Sequence, residues 1–229
     1  MKRSEINAYI RKAIKFIKKM NFALPPFAFW NPEDWKSKGP EYDEIRKNQL
    51  GWDLTDFGSG DYEKTGLFLF TIRNGNPHIP SCKKTYAEKI LLVAPKQVTP
   101  YHYHKGKMED IINRGGRGIL NVQVWGSLDY AGKTEKAQLD EKSPVPVAVD
   151  GRNFSVPAST VVRLTPGESI TLFQGVYHQF WSDKAPLLLG EVSMVNDDHA
   201  DNFFLEDRGR FPAIEEDEPP RHLLVSDYG

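Results

Sequence analysis

At 229 residues the chain is long enough to bury a sizeable core, and one domain is the natural expectation for a β-rich sequence of this length. A formal net charge of −1 leaves no basic footprint for nucleic acid, and no apolar run approaches the ~20 residues that a membrane helix needs. Cys82 is the only cysteine, which excludes an internal disulfide and makes a reducing compartment, the cytoplasm, the expected location.

The chain opens on an amphipathic pattern that predicts a helix over residues 4–20. Ile6, Tyr9, Ile10, Ala13, Ile17 and Met20 recur at helical spacing, with Lys12, Lys15, Lys18 and Lys19 on the wet face. Ser4 is placed to cap this helix, and Glu5 lies in its first turn, where negative charge favours the helix dipole. Residues 24–40 are rich in aromatics and proline and read as loop, because proline removes backbone donors. A short helix is expected over residues 43–48, followed by a turn at Gly51, Trp52 and Asp53.

From there the pattern changes to strands. They are expected at 66–72, 85–94, 97–104, 108–114, 118–125, 145–149, 160–164, 169–173, 176–181 and 187–194. Separated by Gly, Pro, Asn and Asp turns, such a series predicts an all-β sandwich or barrel. Residues 133–143 read as a charged connection, and 202–229 as a tail whose acidic stretch, residues 215–218, is expected to be solvated. Aromatic residues make up 12% of the chain, five of them tryptophan, which is compatible with a sugar-stacking pocket.

Chemistry concentrates at residues 101–118, YHYHKGKMEDIINRGGRG. Side chains alternate faces along a strand, so His102 and His104 point the same way, and a short turn at 105–107 returns Glu109 beside them. Two imidazoles and a carboxylate converging on one point suit a first-row divalent metal, whereas a wet strand with two surface histidines is the bland alternative. Lys107, between the second histidine and the glutamate, is expected at the rim of that site, where it would stabilise a developing oxyanion or remain a solvated turn lysine. Farther on, Glu206 stands beside Phe203, Phe204 and Leu205. A carboxylate partly desolvated there would have the raised pKa that a general base needs, and an ordinary exposed glutamate is the alternative.

The arrangement His102-x-His104-x4-Glu109-x6-Gly116 resembles the first motif of the cupin superfamily. The segment Pro166-Gly167-Glu168 and then Phe173-Gln174-Gly175-Val176-Tyr177-His178 resembles its second, which implies His178 as a fourth ligand. The sequence departs from the pattern at Phe173 and Ser182, where proline and asparagine are usual, and at Lys96, in the place of a leading glycine. These departures touch loop geometry and leave the ligand set intact.

Taken end to end, the chain resembles the D-lyxose isomerase family, cupin-type sugar isomerases. The strongest piece is PYHYHKGKMEDIINRGG, supported by FQGVYHQFW and FFLEDRGRFP. The resemblance implies a double-stranded β-helix (jelly-roll) barrel carrying an N-terminal helix and peripheral loops. It implies one domain over 1–229, with the helix and aromatic loop at 1–65, the metal-bearing barrel at 66–200, and a C-terminal segment at 201–229 that contributes to the site. It also implies interconversion of D-lyxose with D-xylulose, and of D-mannose with D-fructose, through a cis-enediolate. The metal ligands would be His102, His104, Glu109 and His178, holding Mn2+ or alternatively Co, Fe, Ni or Zn. The same matching gives catalytic roles to Lys107 and Glu206, substrate roles to Arg210 and Asp217, and a homodimer as the assembly. His78, His199 and His222 are left without a metal role. The competing reading is another cupin metalloenzyme, a sugar-phosphate isomerase or a non-haem dioxygenase.

Overall fold

The computed structural model describes residues 1–128, 137–198 and 200–228. Helix α1 (Arg3–Lys19) comes first. A single helical turn at Pro26–Phe29 and the short helices α2 (Pro32–Lys36) and α3 (Asp43–Lys47) follow. The strands are then β1 (Gly51–Thr55), β2 (Leu67–Arg73), β3 (Tyr86–Val93), β4 (His102–Tyr103), β5 (Glu109–Gly116), β6 (Leu120–Leu128) and β7 (Gln138–Asp140). They continue as β8 (Val145–Val149), β9 (Arg152–Val156), β10 (Val161–Leu164), β11 (Ser169–Leu172), β12 (Tyr177–Ser182), β13 (Leu187–Met194) and β14 (Phe203–Phe204).

These strands form two curled antiparallel sheets. One has the order β1-β2-β3-β13-β5-β11-β8-β9, and the other β10-β6-β12-β4-β14 with β7 attached to β6. Their inner faces pack together through Leu69, Leu91, Ile111 and Leu189 from the first sheet and Val122, Val124, Leu164 and Phe180 from the second. This is the cupin-type barrel that the resemblance implied. Strands at one end of the first sheet bury their outer face as well. Phe68, Phe70, Ile90 and Leu188 point outward and meet Ile6, Ile10, Ala13 and Ile17 of α1. Burial on both faces explains why 66–70 reads as the unbroken run GLFLF rather than an alternation. Among the described residues no helix is long and apolar enough to cross a membrane.

Several expectations are corrected. The turn expected at Gly51, Trp52 and Asp53 is instead the start of β1, all of whose residues are buried. The strand expected over 97–104 is reduced to His102–Tyr103, since Pro100 brings no N–H to a ladder. Residues 24–40 hold two helical pieces because Pro26 and Pro32 stand in first turns, where a missing N–H costs nothing. Of the charged connection, 138–140 pairs with β6, and 133–136 lies outside the described residues.

The start of α1 is also capped differently from expectation. Lys2 is its N-cap residue, while the Ser4 backbone and hydroxyl donate to Asp217 at 2.9 and 2.6 Å. Glu216 binds Arg3 at 2.6 Å, and Glu218 accepts from Asn7 at 2.6 Å. The acidic stretch is exposed at Glu215, Glu216 and Asp217, as expected of a solvated run, and it is also docked on the positive end of the helix. Asp217, expected to contact substrate, lies here against Ser4.

Candidate metal centre

Strand pairing brings the first motif and the second together. His178 on β12 lies directly opposite His102 on β4. Gly175 makes the turn into β12 with a φ of 79°, a conformation that favours glycine, and its N–H donates to the His104 carbonyl at 2.9 Å. One ligand atom from each of His102, His104 and His178 then falls within 4.8 Å of the others, a three-histidine site that could hold a metal.

The tautomers follow from the partners. Nδ1 of His102 faces the Pro100 carbonyl at 2.9 Å, that of His104 the Asp201 carbonyl at 2.7 Å, and that of His178 the Val176 carbonyl at 3.0 Å. Carbonyls only accept, so each Nδ1 carries a proton, and in the neutral ring Nε2 is the nitrogen left with a lone pair. Glu109 Oε1 lies 3.2 Å from Nε2 of His178, and its Oε2 lies 3.5 Å from Nε2 of His104. Nε2 of His178 is buried without a hydrogen-bond partner. Acceptors facing acceptors in a buried place are tolerable around a cation, so the residues present fit a divalent ion. Burial, and secondarily the neighbouring His178 and His104, hold His102 well below the usual imidazole range and keep it in the ligating form.

Beside the histidines is a cavity with an uncommon density of charge. Lys107, expected at a rim, is buried instead, with Nζ 2.6 Å from Glu109, 3.0 Å from Glu191 and 3.2 Å from Asn196. Burial by itself would lower its pKa, but Glu109 and Glu191 outweigh that and raise it, so the ammonium persists. Lys89 lies 3.1 Å from Glu191 and donates to Asn196 at 2.7 Å. For Glu191 burial pushes upward, and Lys107 and Lys89 bring the net shift below the usual carboxylate range. Arg210 lines the same cavity, held by Asp53 at 2.5 Å and Asp198 at 2.9 Å, with its Nη1 buried and unpartnered.

Thus His102, His104, Glu109, Lys107 and Arg210 line one cavity, with His178 adjoining them through His102, His104 and Glu109, and Glu206 and Asp217 do not line it. The Glu206 side chain is 72% exposed, is paired with Arg208 at 2.6 Å, and borders a separate hollow beside Tyr101 and Gln179. The desolvation expected of a base there is absent, because Phe204 turns inward toward His102 while Glu206 turns to water. Of the remaining histidines, His78 pairs with Asp197 and His222 with the Trp30 carbonyl, and His199 lies outside the described residues.

Lys89, Glu191, Asn196, Asp198 and Asp53 were not read from the sequence. The signal for three of them is parity. Lys89 shares its strand face with Leu91 and Val93, Glu191 with Leu187 and Leu189, and Asp53 stands opposite the inward Leu69.

The sequence profile of the D-lyxose isomerase family matches residues 1–228. The chain is 42% identical to the D-lyxose/D-mannose isomerase of Serratia proteamaculans over 231 residues, covering 100% of this chain and 98% of that protein. It is 41% identical, with the same coverage, to the D-lyxose/D-mannose isomerase of Escherichia coli O157:H7. Among solved structures it is similar to the L-ribose isomerase of Acinetobacter sp. DL28, with a TM-score of 0.62 and 16% identity over 94% of this chain and 98% of the other. The L-ribose isomerase of Cellulomonas parahominis gives a TM-score of 0.62 at 17% identity over the same shares, and both likenesses concern the barrel fold. With a family profile matched over almost its whole length and full-length relatives above 40% identity, the chain belongs to the D-lyxose isomerase family.

Proposed function

We propose that this protein is a metal-dependent aldose–ketose isomerase that interconverts D-lyxose with D-xylulose, and D-mannose with D-fructose, through a cis-enediolate. The observation that carries the reading is the convergence of three imidazole nitrogens, with Glu109 against two of them, beside a cavity holding Lys107 and Glu191. The proposed ion is Mn2+, following the family resemblance, and the same donor set accepts Co, Fe, Ni or Zn. Held by His102, His104, His178 and Glu109, it would polarise the sugar carbonyl and acidify the neighbouring C–H.

The proton chemistry falls to the cavity side chains. Glu191 is the proposed base, because it is buried and lines the cavity, whereas Glu206 stands outside it. It takes the proton from C2 of the aldose and returns it to C1, while the hydroxyl proton on O2 is transferred to O1, so atoms balance on the way to the ketose. The Lys107 ammonium donates to the oxygens on which negative charge develops. Glu109, as a ligand, is the poorer base.

Free sugars are the proposed substrates. Among the described residues each cation lining the cavity, Lys89, Lys107 and Arg210, already has a carboxylate partner, which disfavours a phosphate there. Residues 1–229 are taken as one functional unit, in which Asp53 and Arg210 meet from opposite ends of the chain. A homodimer is proposed as the assembly, supported by Tyr86, Met108, Val192 and Met194, exposed together on the sheet face that α1 leaves uncovered. The lone thiol of Cys82 suits the cytoplasm.

The test is isomerisation of free D-lyxose and D-mannose against their phosphates, with protein stripped by chelator and then reloaded with Mn2+. Turnover of the free sugars, restored by reloading, is the expected result. Turnover of the phosphates alone, or turnover indifferent to metal, would overturn the reading.

A further inference from the structure

The turn Lys105-Gly106-Lys107 has two tasks. It returns the chain from His104 to Glu109, and it aims the Lys107 ammonium into the cavity. Its three successive backbone N–H groups converge on one side chain. Lys105 and Gly106 donate to Oδ1 of Asp201 at 2.8 and 2.7 Å, and Lys107 donates to Oδ2 at 2.8 Å. The main-chain carbonyl of the same residue accepts Nδ1–H of His104 at 2.7 Å.

His104 differs in this from the other two histidines. His102 and His178 are each oriented by the carbonyl two residues before them, so their own strands set their rings. The His104 ring depends on a residue 97 positions away. That residue is itself held firmly. Its N–H donates to the Asp197 carbonyl at 3.0 Å, and in the same segment Asp198 binds Arg210 at 2.9 Å and Asn202 at 2.8 Å.

We propose that Asp201 is a positioning residue of the metal centre, its carboxylate fixing the 105–107 turn and its carbonyl fixing the tautomer and aim of His104. One residue that touches neither ion nor sugar thereby sets both a ligand and the Lys107 ammonium. A carboxylate accepting three backbone N–H groups makes a rigid nest, and the carbonyl bond leaves Nε2 of His104 as a lone pair. The proposal rests on the metal-centre reading above.

Chelator-stripped Asp201→Asn and Asp201→Ala are titrated with Mn2+, the free ion being followed by its EPR signal. Hydrogen exchange of the 105–107 amides is measured on the metal-free proteins. Asp140→Ala is the control, because Asp140 caps Lys142 and Ser143 at 2.9 and 3.0 Å in an exposed turn that is not part of the cavity. Mn2+ affinity should fall about 10–100-fold in the Asp201 variants, the usual scale for losing a group that orients a ligand. The 105–107 amides should exchange faster, and Asp140→Ala should bind as wild type does. Asp201→Asn preserves shape and decides the matter if Asp201→Ala fails to fold. Wild-type affinity in Asp201→Asn, or an equal loss in Asp140→Ala, would refute the proposal. Wild-type protein that takes up no Mn2+ would instead bring down the metal reading and this inference with it.

Discussion

Glu191→Gln separates the chemistry from the scaffold that carries it. The amide keeps the shape of the side chain and loses its capacity to take a proton. Turnover should fall by about 10²–10⁴, the scale of a lost general base. The change also unbalances charge. Lys107 keeps Glu109 at 2.6 Å, but Lys89 is left with the neutral Asn196 at 2.7 Å. An ammonium stranded in a buried site costs about 3 kcal/mol, the low end for breaking a buried pair. For a chain of this size that is about 6–12 °C of melting temperature. Adding Lys89→Met removes the stranded charge, so the double variant should regain most of the melting temperature while turnover stays low.

The assay is isomerisation in deuterated water, with label followed into C1 of the ketose and C2 of the aldose. Wild type should incorporate solvent deuterium, and Glu191→Gln should lose incorporation together with turnover while retaining its metal. Glu206→Gln should behave as wild type, because its side chain is 72% exposed and paired with Arg208 outside the cavity. A folded, metal-loaded Glu191→Gln with full turnover and full exchange would refute the assignment. Collapse of exchange in Glu206→Gln instead would show that the 203–211 segment rearranges when sugar binds. Isomerisation by wild type without incorporation would point to hydride transfer and remove the need for either base.

Two further outcomes concern stability. Arg3 joins α1 to the C-terminal segment through Glu216 and Asp227, with 3% of its side chain exposed. Arg3→Ala should cost about 2–3 kcal/mol, less than a fully buried pair because Glu216 is 56% exposed and regains water. Calorimetry should find the melting temperature lower by about 4–12 °C, and an unchanged value would show that the clamp is dispensable. The metal-free protein should also weaken in acid. His102 is kept neutral in the fold chiefly by burial, so stability starts to decline as pH falls below about 6.5, where the unfolded imidazole gains a proton. Burial pushes Glu109, Glu191 and Asp198 upward, but Lys107 for the first two and Arg210 for the third bring each below its ordinary value. Their contribution is complete above about pH 5 and is lost as pH drops through the lowered native values. Stability that rose between pH 6 and pH 4 would contradict these signs.

Where function is encoded locally it can be read locally. His102 and His104 share a face because strands alternate, and Glu109 returns through a three-residue turn, so this half of the site lies within eight residues of sequence. His178 came only through resemblance to a second motif, since no local rule announces the cross-strand register that sets it opposite His102. Glu206 misled for a related reason. Aromatic neighbours in sequence do not bury a carboxylate once the strand that carries them has ended: β14 stops at Phe204, and Glu206 beyond it is exposed and paired with Arg208. The acidic stretch at 215–218 is exposed at its first three residues as expected, but its docking has no local signal, because its partners Arg3, Ser4 and Asn7 lie more than two hundred residues earlier. Asp201 was silent on the same grounds, its partners being a turn and a ring nearly a hundred residues away. Lys89 and Glu191 are another matter, because their signal was present and concerned phase rather than composition. Each stands in an apolar strand on the parity of the core positions, where an unpaired charge costs several kcal/mol and would be a defect of the fold. That cost is met only if the two charges find each other. The antiparallel register of β3 and β13 places Lys89 directly opposite Glu191, and a second ammonium arrives from the 105–107 turn. A strand charge in phase with the core therefore calls for its partner on the neighbouring strand, and here the pair that results lines the cavity beside the three histidines instead of being closed into the apolar core.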